Sequence, residues 1–349
     1  MKKAGFPFLG ILFLTVLLCG TGCGAGKNAN TATGMEAIAN LDYDTALESF
    51  AAAQAAGEDK RSLYRGQGLA YMGKVMYEEA AASLEQALSC SDGQIDAMDY
   101  DINYYLATAY YKMGDKEKAV AAYDAILALK PGEEDAHYLR GALEAEEGNL
   151  EPAQADFDQV IALDPQNYDR LINIYGILEQ NGFKEAGQTY LQSAIGSETK
   201  TMTNYEKGRI CYYMEDYENA RTYLEKARDE GGYEAILFLG KTYETLGDYN
   251  YAISVYNSYL SGSEQNAEVY NQLGLCRLRT GEYDGALTAF QTAMKIEDNS
   301  IMQTLKLNEI VAYEYLEEYK KAAVLTESYL KTYPDDEAAA REYIFLKTR

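Results

Sequence analysis

The sequence predicts an all-α protein in which a helical hairpin recurs about nine times and is closed by a C-terminal helix. Three observations predict it. One pattern, Ala followed four residues later by a bulky apolar residue and three after that by a small or apolar one, returns along almost the whole chain. Its copies start 34, 39, 34, 34, 33, 32, 34 and 36 residues apart. Only 5 prolines interrupt 349 residues, so long helices are permitted.

The copies are Ala46-Phe50-Ala53, Ala80-Leu84-Ala87, Ala119-Tyr123-Ile126, Ala153-Phe157-Val160, Gly187-Leu191-Ala194, Ala220-Leu224-Ala227, Ala252-Tyr256-Tyr259, Ala286-Phe290-Ala293 and Ala322-Thr326-Tyr329. In the last, Leu325 is expected to take the bulky role. Spacing of i, i+4, i+7 puts each set on one helical face. Twelve residues before the Ala stands a small residue, as at Gly34, Gly68, Ala107, Gly141, Gly208, Gly240 and Gly274. Each unit therefore holds an earlier helix, whose small residue lets the second helix approach closely. Tyr recurs three residues before the Ala, as at Tyr43, Tyr77 and Tyr249, often two after a Gly suited to a left-handed helix end. Pro131, Pro165 and Pro334 close three units. No unit alone buries enough apolar area, so stability rests on stacking neighbours.

This pattern resembles the tetratricopeptide repeat (TPR) family over residues 34–334, most clearly around Tyr77, Tyr249 and Tyr283. It is weakest near Gly187, where Tyr175 takes the place of the small residue; the family's first Trp is absent throughout. The resemblance implies a right-handed superhelical solenoid whose first helices line a concave groove. Residues 335–349, with Ala338, Ala339, Tyr343, Ile344 and Leu346, read as a capping helix.

The N-terminus is separate. Lys2 and Lys3, an apolar run from Phe6 to Leu18 and then small residues have the plan of a secretory signal over residues 1–22. The run is shorter than the roughly 20 residues of a spanning helix. Gly20-Thr21-Gly22-Cys23 resembles a bacterial lipobox, with Gly20 where Leu is usual, and implies lipidation of Cys23. Residues 23–33 then read as the lipidated Cys and a flexible tether that keeps the folded part near the membrane, on the extracytoplasmic side.

A net charge of −24 provides no basic stripe for nucleic acid. His137 is the only histidine, which excludes a two-His zinc motif and leaves no nucleophile–base pair. Cys90, Cys211 and Cys276 are far apart, as buried apolar residues rather than a disulfide or metal framework. Asp92, Asp96, Asp99 and Asp101, in the longest insertion, lack EF-hand spacing and read as a solvated linker. Glu133, Glu134 and Asp135 suit a helix N-terminus. No enzyme, metal or cofactor is expected. On the first helices, the face opposite the small-residue seam carries Arg65, Tyr104, Tyr111, Tyr138, Tyr205, Arg209, Tyr212, Lys241 and Arg279. Tyr and Arg favour interface hot spots, so these are the candidate groove residues for a protein or peptide partner. The expected function is a membrane-anchored interaction scaffold; the alternative is a lipoprotein that captures a peptide or glycan.

Overall fold

A computed structural model describes residues 28–91, 93–196, 202–228, 233–262, 265–297 and 299–349. The signal, Cys23 and Asp92 lie outside the described residues. Among those residues the chain forms nineteen α-helices and no strand. They fall into two compact units, one ending at Pro165 and the other starting at Gln166.

The first unit holds four hairpins: α1 (Ala29–Ala39) with α2 (Tyr43–Ala56), α3 (Lys60–Gly73) with α4 (Tyr77–Ser89), α5 (Ala97–Met113) with α6 (Lys116–Leu129), and α7 (Glu134–Glu146) with α8 (Leu150–Leu163). The second holds five. They are α9 (Tyr168–Gln180) with α10 (Lys184–Gly196), α11 (Asn204–Tyr213) with α12 (Tyr217–Ala227) and α13 (Tyr233–Thr245) with α14 (Tyr249–Leu260). α15 (Ala267–Thr280) with α16 (Tyr283–Ala293) and α17 (Met302–Tyr315) with α18 (Tyr319–Thr332) follow. α19 (Glu337–Leu346) closes the series. The predicted all-α repeat architecture is thus present. Calling the helices of each hairpin A and B, every B helix packs on its own A helix, and within a unit on the next A helix. Successive A helices also touch, as α1 does α3 and α13 does α15, while successive B helices stay farther apart. The A helices are therefore the inner layer of each unit.

The seam of small against large side chains sets the hairpin spacing. A Cβ added to Gly68 would stand 2.5 Å from Leu84 Cγ, and one added to Gly208 would stand 2.5 Å from Leu224 Cγ. Phe50 is fully buried between Gly34 of its own repeat and Gly66 of the next. Burial of each such aromatic ring stabilises by about 1.5–3 kcal/mol, which only close helix approach permits. The fifth repeat inverts the arrangement. Tyr175 is large on the A helix, and Gly187 on the B helix gives way: its Cβ would meet Tyr175 Cδ2 at 3.0 Å and Tyr175 Cα at 3.3 Å. In the ninth repeat the buried residue is Thr326, at 1% exposed, rather than the expected Leu325. The opposing A-helix residue is the larger Ile310, so total seam volume is kept.

Every A-to-B turn contains one left-handed residue. Five are glycines (Gly114, Gly148, Gly182, Gly247, Gly281) and four are not: Leu41, Val75, Glu215 and Glu317. The following N–H reaches back to close the A helix, as Met76 does to the Tyr71 carbonyl at 2.9 Å. Asp42, Asp115, Asp216 and Asp248 then cap the B helices through their carboxylates.

The expected tether to residue 33 is shortened. α1 begins at Ala29, and residues 29–33 are helical. Glu58, in the turn before α3, accepts from Asn30 N and Thr31 N at 3.0 and 2.9 Å, and from both side chains. Asn28 Oδ1 in return accepts from Asp59 N at 3.1 Å. Polar residues that read as a spacer are thus held as the first helical turn.

Candidate functional site

In the first unit, the inner layer is a ladder of pairs between successive A helices. Arg61 on α3 donates to Asp96 at 2.8 Å and to Asp99 at 2.5 Å on α5. Arg65 pairs with Asp101 of the same helix. Asp96 and Asp99 also form the capping box of α5, and the Arg61 guanidinium holds the Asp96 carboxyl below its ordinary range. The acidic insertion is therefore not a solvated linker: three of its carboxylates order α5 and lock it to α3. Tyr111 reaches the next A helix, donating to Glu146 at 3.2 Å. Tyr104 and Tyr138 are half-buried against the B-helix rings Tyr123 and Phe157, with centroids 6.1 and 6.4 Å away. Burial, then the Glu133 and Asp135 carboxylates, raises the Tyr104 hydroxyl far above its ordinary range.

His137 is buried, as a packing residue should be. Its Nδ1 lies 2.7 Å from Asp156 Oδ1 and its Nε2 2.9 Å from the Pro131 carbonyl. Arg140 meets the same Asp156 carboxylate through Nε and Nη2 at 2.8 and 2.7 Å. This polar knot ties α7 to α8 and to the preceding turn.

In the second unit, four candidate residues converge. Phe238 on α13 is ringed edge-on by Tyr205 and Tyr212 of α11, at 6.3 and 5.4 Å. Arg209 and Lys241 stand over the same ring at 5.6 and 5.7 Å. Burial pushes the Tyr205 hydroxyl up to about 12. Arg209 is occupied further, by Asp169 of α9 at 2.5 Å. Lys241 makes no ion pair with the described residues.

Next to this cluster, a cavity of about 420 Å³ opens on the inner layer. α13 contributes Glu244 and Thr245, one turn beyond Lys241, and α14 contributes Tyr249. α15 contributes Leu275, Leu278 and Arg279, and α17 contributes Val311 and Tyr315. Arg279 is exposed and makes no ion pair with the described residues. Val311 and Tyr315 are 37% and 52% exposed, the latter stacked on Tyr283 at 5.1 Å. Glu244 is held in the wall, accepting from the Tyr256 hydroxyl at 2.7 Å. The cavity thus offers apolar walls, two tyrosines and a free guanidinium.

Of the nine candidates, the structure brings Arg279 into the cavity and Lys241 beside it. Tyr205, Arg209 and Tyr212 form the adjoining aromatic patch. Arg65, Tyr104, Tyr111 and Tyr138 lie in the other unit, each engaged by neighbouring helices. Sequence reasoning missed Val311 and Tyr315. They stand one and five residues after the seam position, the register that selects Lys241 and Arg279. The signal was hidden because the seam residue there is Ile310 rather than a small one.

Several known proteins are similar to this chain. A BBSome complex member of Caenorhabditis elegans is 46% identical over 65 residues, 19% of this chain and 14% of that protein. A TPR repeat-containing protein of Methanocaldococcus jannaschii is 24% identical over 281 residues, 80% of this chain and 44% of that one. The chain thus spans less than half the length of either relative. Among solved structures, a tetratricopeptide repeat protein from Parabacteroides merdae is 18% identical, with a TM-score of 0.45, covering 83% of this chain and 99% of that one. YrrB, a TPR protein with an unusual peptide-binding site, is 23% identical with a TM-score of 0.40, covering 50% and 88%. Four tetratricopeptide repeat models match residues 31–95, 73–143, 134–167, 205–267 and 267–300. These stretches take in well over half of the sequence, and the chain belongs to the tetratricopeptide repeat family.

Proposed function

We propose that this protein is a membrane-anchored scaffold of the bacterial cell envelope that grips a segment of a partner protein in the inner groove of its second unit. The observation that supports this most is the cavity on α13, α15 and α17, with Arg279 free at its edge. Repeat solenoids use their inner surfaces in this way, presenting a concave face from stacked helices. Leu275, Leu278 and Val311 suit an apolar side chain, and Arg279 with Lys241 suits a carboxylate. In a chain of net charge −24, two cations on the inner face without ion-pair partners among the described residues favour an anionic anchor on the ligand.

The extracytoplasmic setting rests on the sequence of residues 1–23. With lipid on Cys23 and α1 starting at Ala29, the five intervening residues reach at most about 18 Å. The first repeat would then sit at the bilayer surface.

The test has two arms. Residues 24–349 are screened against peptide and oligosaccharide arrays, with Arg279→Ala and Val311→Ser as variants. Binding of acidic, apolar peptides that either variant weakens tenfold supports the reading. Retention of oligosaccharides instead, on the Tyr249 and Tyr315 rings, gives the alternative of a glycan-capturing lipoprotein. Equal binding by native and variant chains sinks the groove assignment. In the second arm, Cys23→Ala should release the protein from the membrane fraction and abolish the mass increment of a diacylglycerol.

A further inference from the structure

The outer face of the last hairpin departs from a pattern that seven of the other eight hairpins keep. Two residues before the conserved small position of each B helix stand Asp44, Glu78, Glu117, Glu151, Glu185, Glu218, Asn250 and Asp284. These sit in the first helical turn, where the seven carboxylates meet the positive end of the helix dipole, while Asn250 leaves α14 without an acid there. In the ninth repeat the position is Lys320, followed by Lys321, and α18 has no acid in its first turn. Two residues after the small position the series reads Glu48, Ala82, Ala121, Ala155, Thr189, Thr222, Ser254, Thr288 and then Val324. Val324 is 66% exposed. Both changes cost something locally, charge against the dipole and apolar surface in water, and no ion pair of Lys320 among the described residues offsets them.

Lys320, Lys321 and Val324 stand together at one groove. It has a volume of about 390 Å³ and is lined by Glu309 and Tyr313 of α17 and by Lys320, Lys321, Val324 and Leu325 of α18. Gln291 of α16 donates to Glu309 at 2.8 Å, so the groove lies over α17 between two B helices, on the side away from the inner layer. The third repeat supplies an internal control. Lys118 stands over the Tyr110 ring at 5.1 Å and pairs with Asp115, as Lys321 stands over Tyr313 at 5.3 Å and pairs with Glu318. The differences are that Glu117 and Ala121 occupy the places of Lys320 and Val324, with Leu106 and Ala122 in those of Glu309 and Leu325. Lys320 is exposed and makes no ion pair with the described residues.

We infer that this outer groove of the ninth repeat is a second docking site, for an acidic protein segment that carries an apolar side chain. Charge complementarity selects the occupant: a basic, apolar opening in a chain of net charge −24 is matched by flanking carboxylates around a buried Leu- or Phe-sized group. The groove is shallow, with Val324 largely in water, and does not enclose a small ligand as pockets of that class do. An anionic bilayer plane would meet Glu317 and Glu318 beside the lysines, whereas a narrow segment reaches between them. The site is independent of the inner cavity.

The probe is a phage-displayed library of random 16-residue peptides, selected on residues 24–349 carrying Arg279→Ala, which removes the inner-groove anchor. The expected result is enrichment of peptides with Asp or Glu flanking an apolar residue. Their affinity should fall at least tenfold when Lys320→Glu/Lys321→Glu or Val324→Ser is added, and be the same within twofold on the chain with Arg279 restored. The charge reversal supplies the acidic first turn found in seven of the other eight B helices, so it is expected to fold at least as well as the native chain, checked by circular dichroism. Grafting Glu117→Lys, Ala121→Val and Ala122→Leu into the third repeat should add a second site for the same peptides. Enriched peptides without acidic bias, or undiminished binding to the lysine variants, would overturn the proposal. So would Lys320-dependent cosedimentation with phosphatidylglycerol vesicles that the peptides fail to compete.

Discussion

Val75→Gly should make the protein more stable, although it removes an apolar side chain. Val75 holds φ at 62°, in the left-handed region, and is β-branched, so its side chain crowds its own backbone. An L-residue there costs roughly 1–2 kcal/mol, which glycine does not incur. Against this, glycine widens the unfolded ensemble, at about 0.5–1 kcal/mol. Little burial is lost, because Val75 is 66% exposed. The balance is a gain of about 0.5–1 kcal/mol, or a few degrees of melting temperature for a unit of this size. Gly114, the same turn position one repeat later with φ of 82°, provides the reverse test: Gly114→Val should destabilise. Urea unfolding of each variant, followed by circular dichroism, reads both. A lower midpoint for Val75→Gly would mean that the turn is not strained, and the left-handed position would then not limit the choice of residue.

Three further outcomes follow from the seam, the N-terminal bracket and the thiols. Gly208→Ala places a Cβ against Leu224 and should destabilise by about 1–3 kcal/mol, read as a lower urea midpoint; no change would mean that the seam relaxes freely. Burial raises the Glu58 carboxyl, but its four hydrogen bonds from Asn30 and Thr31 outweigh this and hold it below the ordinary 4.5. A lowered carboxyl contributes stability above its unfolded value and loses it as pH falls through the folded value. Glu58→Gln should therefore weaken protection of α1 amides at pH 7, with the difference from the native chain closing below about pH 4. Burial pushes the Cys211 thiol up to about 11, and burial with Glu244 nearby raises Cys276 further. Both should resist Ellman's reagent at pH 8 until urea unfolds the chain, while half-buried Cys90 reacts first.

Most of the fold was legible because each repeat states it again. Helix type, hairpin pairing and seam register all follow from one spacing, and a single exception does not erase it. What escaped were compensations between two positions. Gly187 looked like a weak repeat, yet it is the small partner of a large Tyr175, so the volume is conserved across the seam. Thr326 looked like a misplaced polar residue, yet its hydroxyl bonds the Ala322 carbonyl at 2.8 Å and its small size accommodates Ile310. Residues 29–33 looked like a tether because their hydrogen-bond partner, Glu58, is 27 residues or more away. The candidate groove was legible in register but not in occupancy: spacing places an Arg on the inner face without saying whether an acid of the next helix already holds it.

Occupancy decides which inner cations can serve a ligand. Arg65 and Arg209 are each held by an aspartate of a neighbouring A helix, Asp101 and Asp169. A ligand carboxylate there must displace an existing partner, gaining one charged hydrogen bond for the one it breaks. Arg279 has no such partner among the described residues, and its pairing with a ligand carboxylate in a half-enclosed cavity would be a net gain. Removing an arginine anchor of this kind costs about 1.4–2 kcal/mol, or ten- to thirtyfold in affinity. Arg209→Ala should instead leave affinity for an acidic peptide within twofold while increasing hydrogen exchange in α9 and α11, the two helices that Arg209 joins. Fluorescence anisotropy with the same labelled peptide on both variants separates the roles. Equal loss in the two would show that the paired arginine also reaches the ligand, and the inner ladder would then belong to the binding surface rather than to the spacing of the helices.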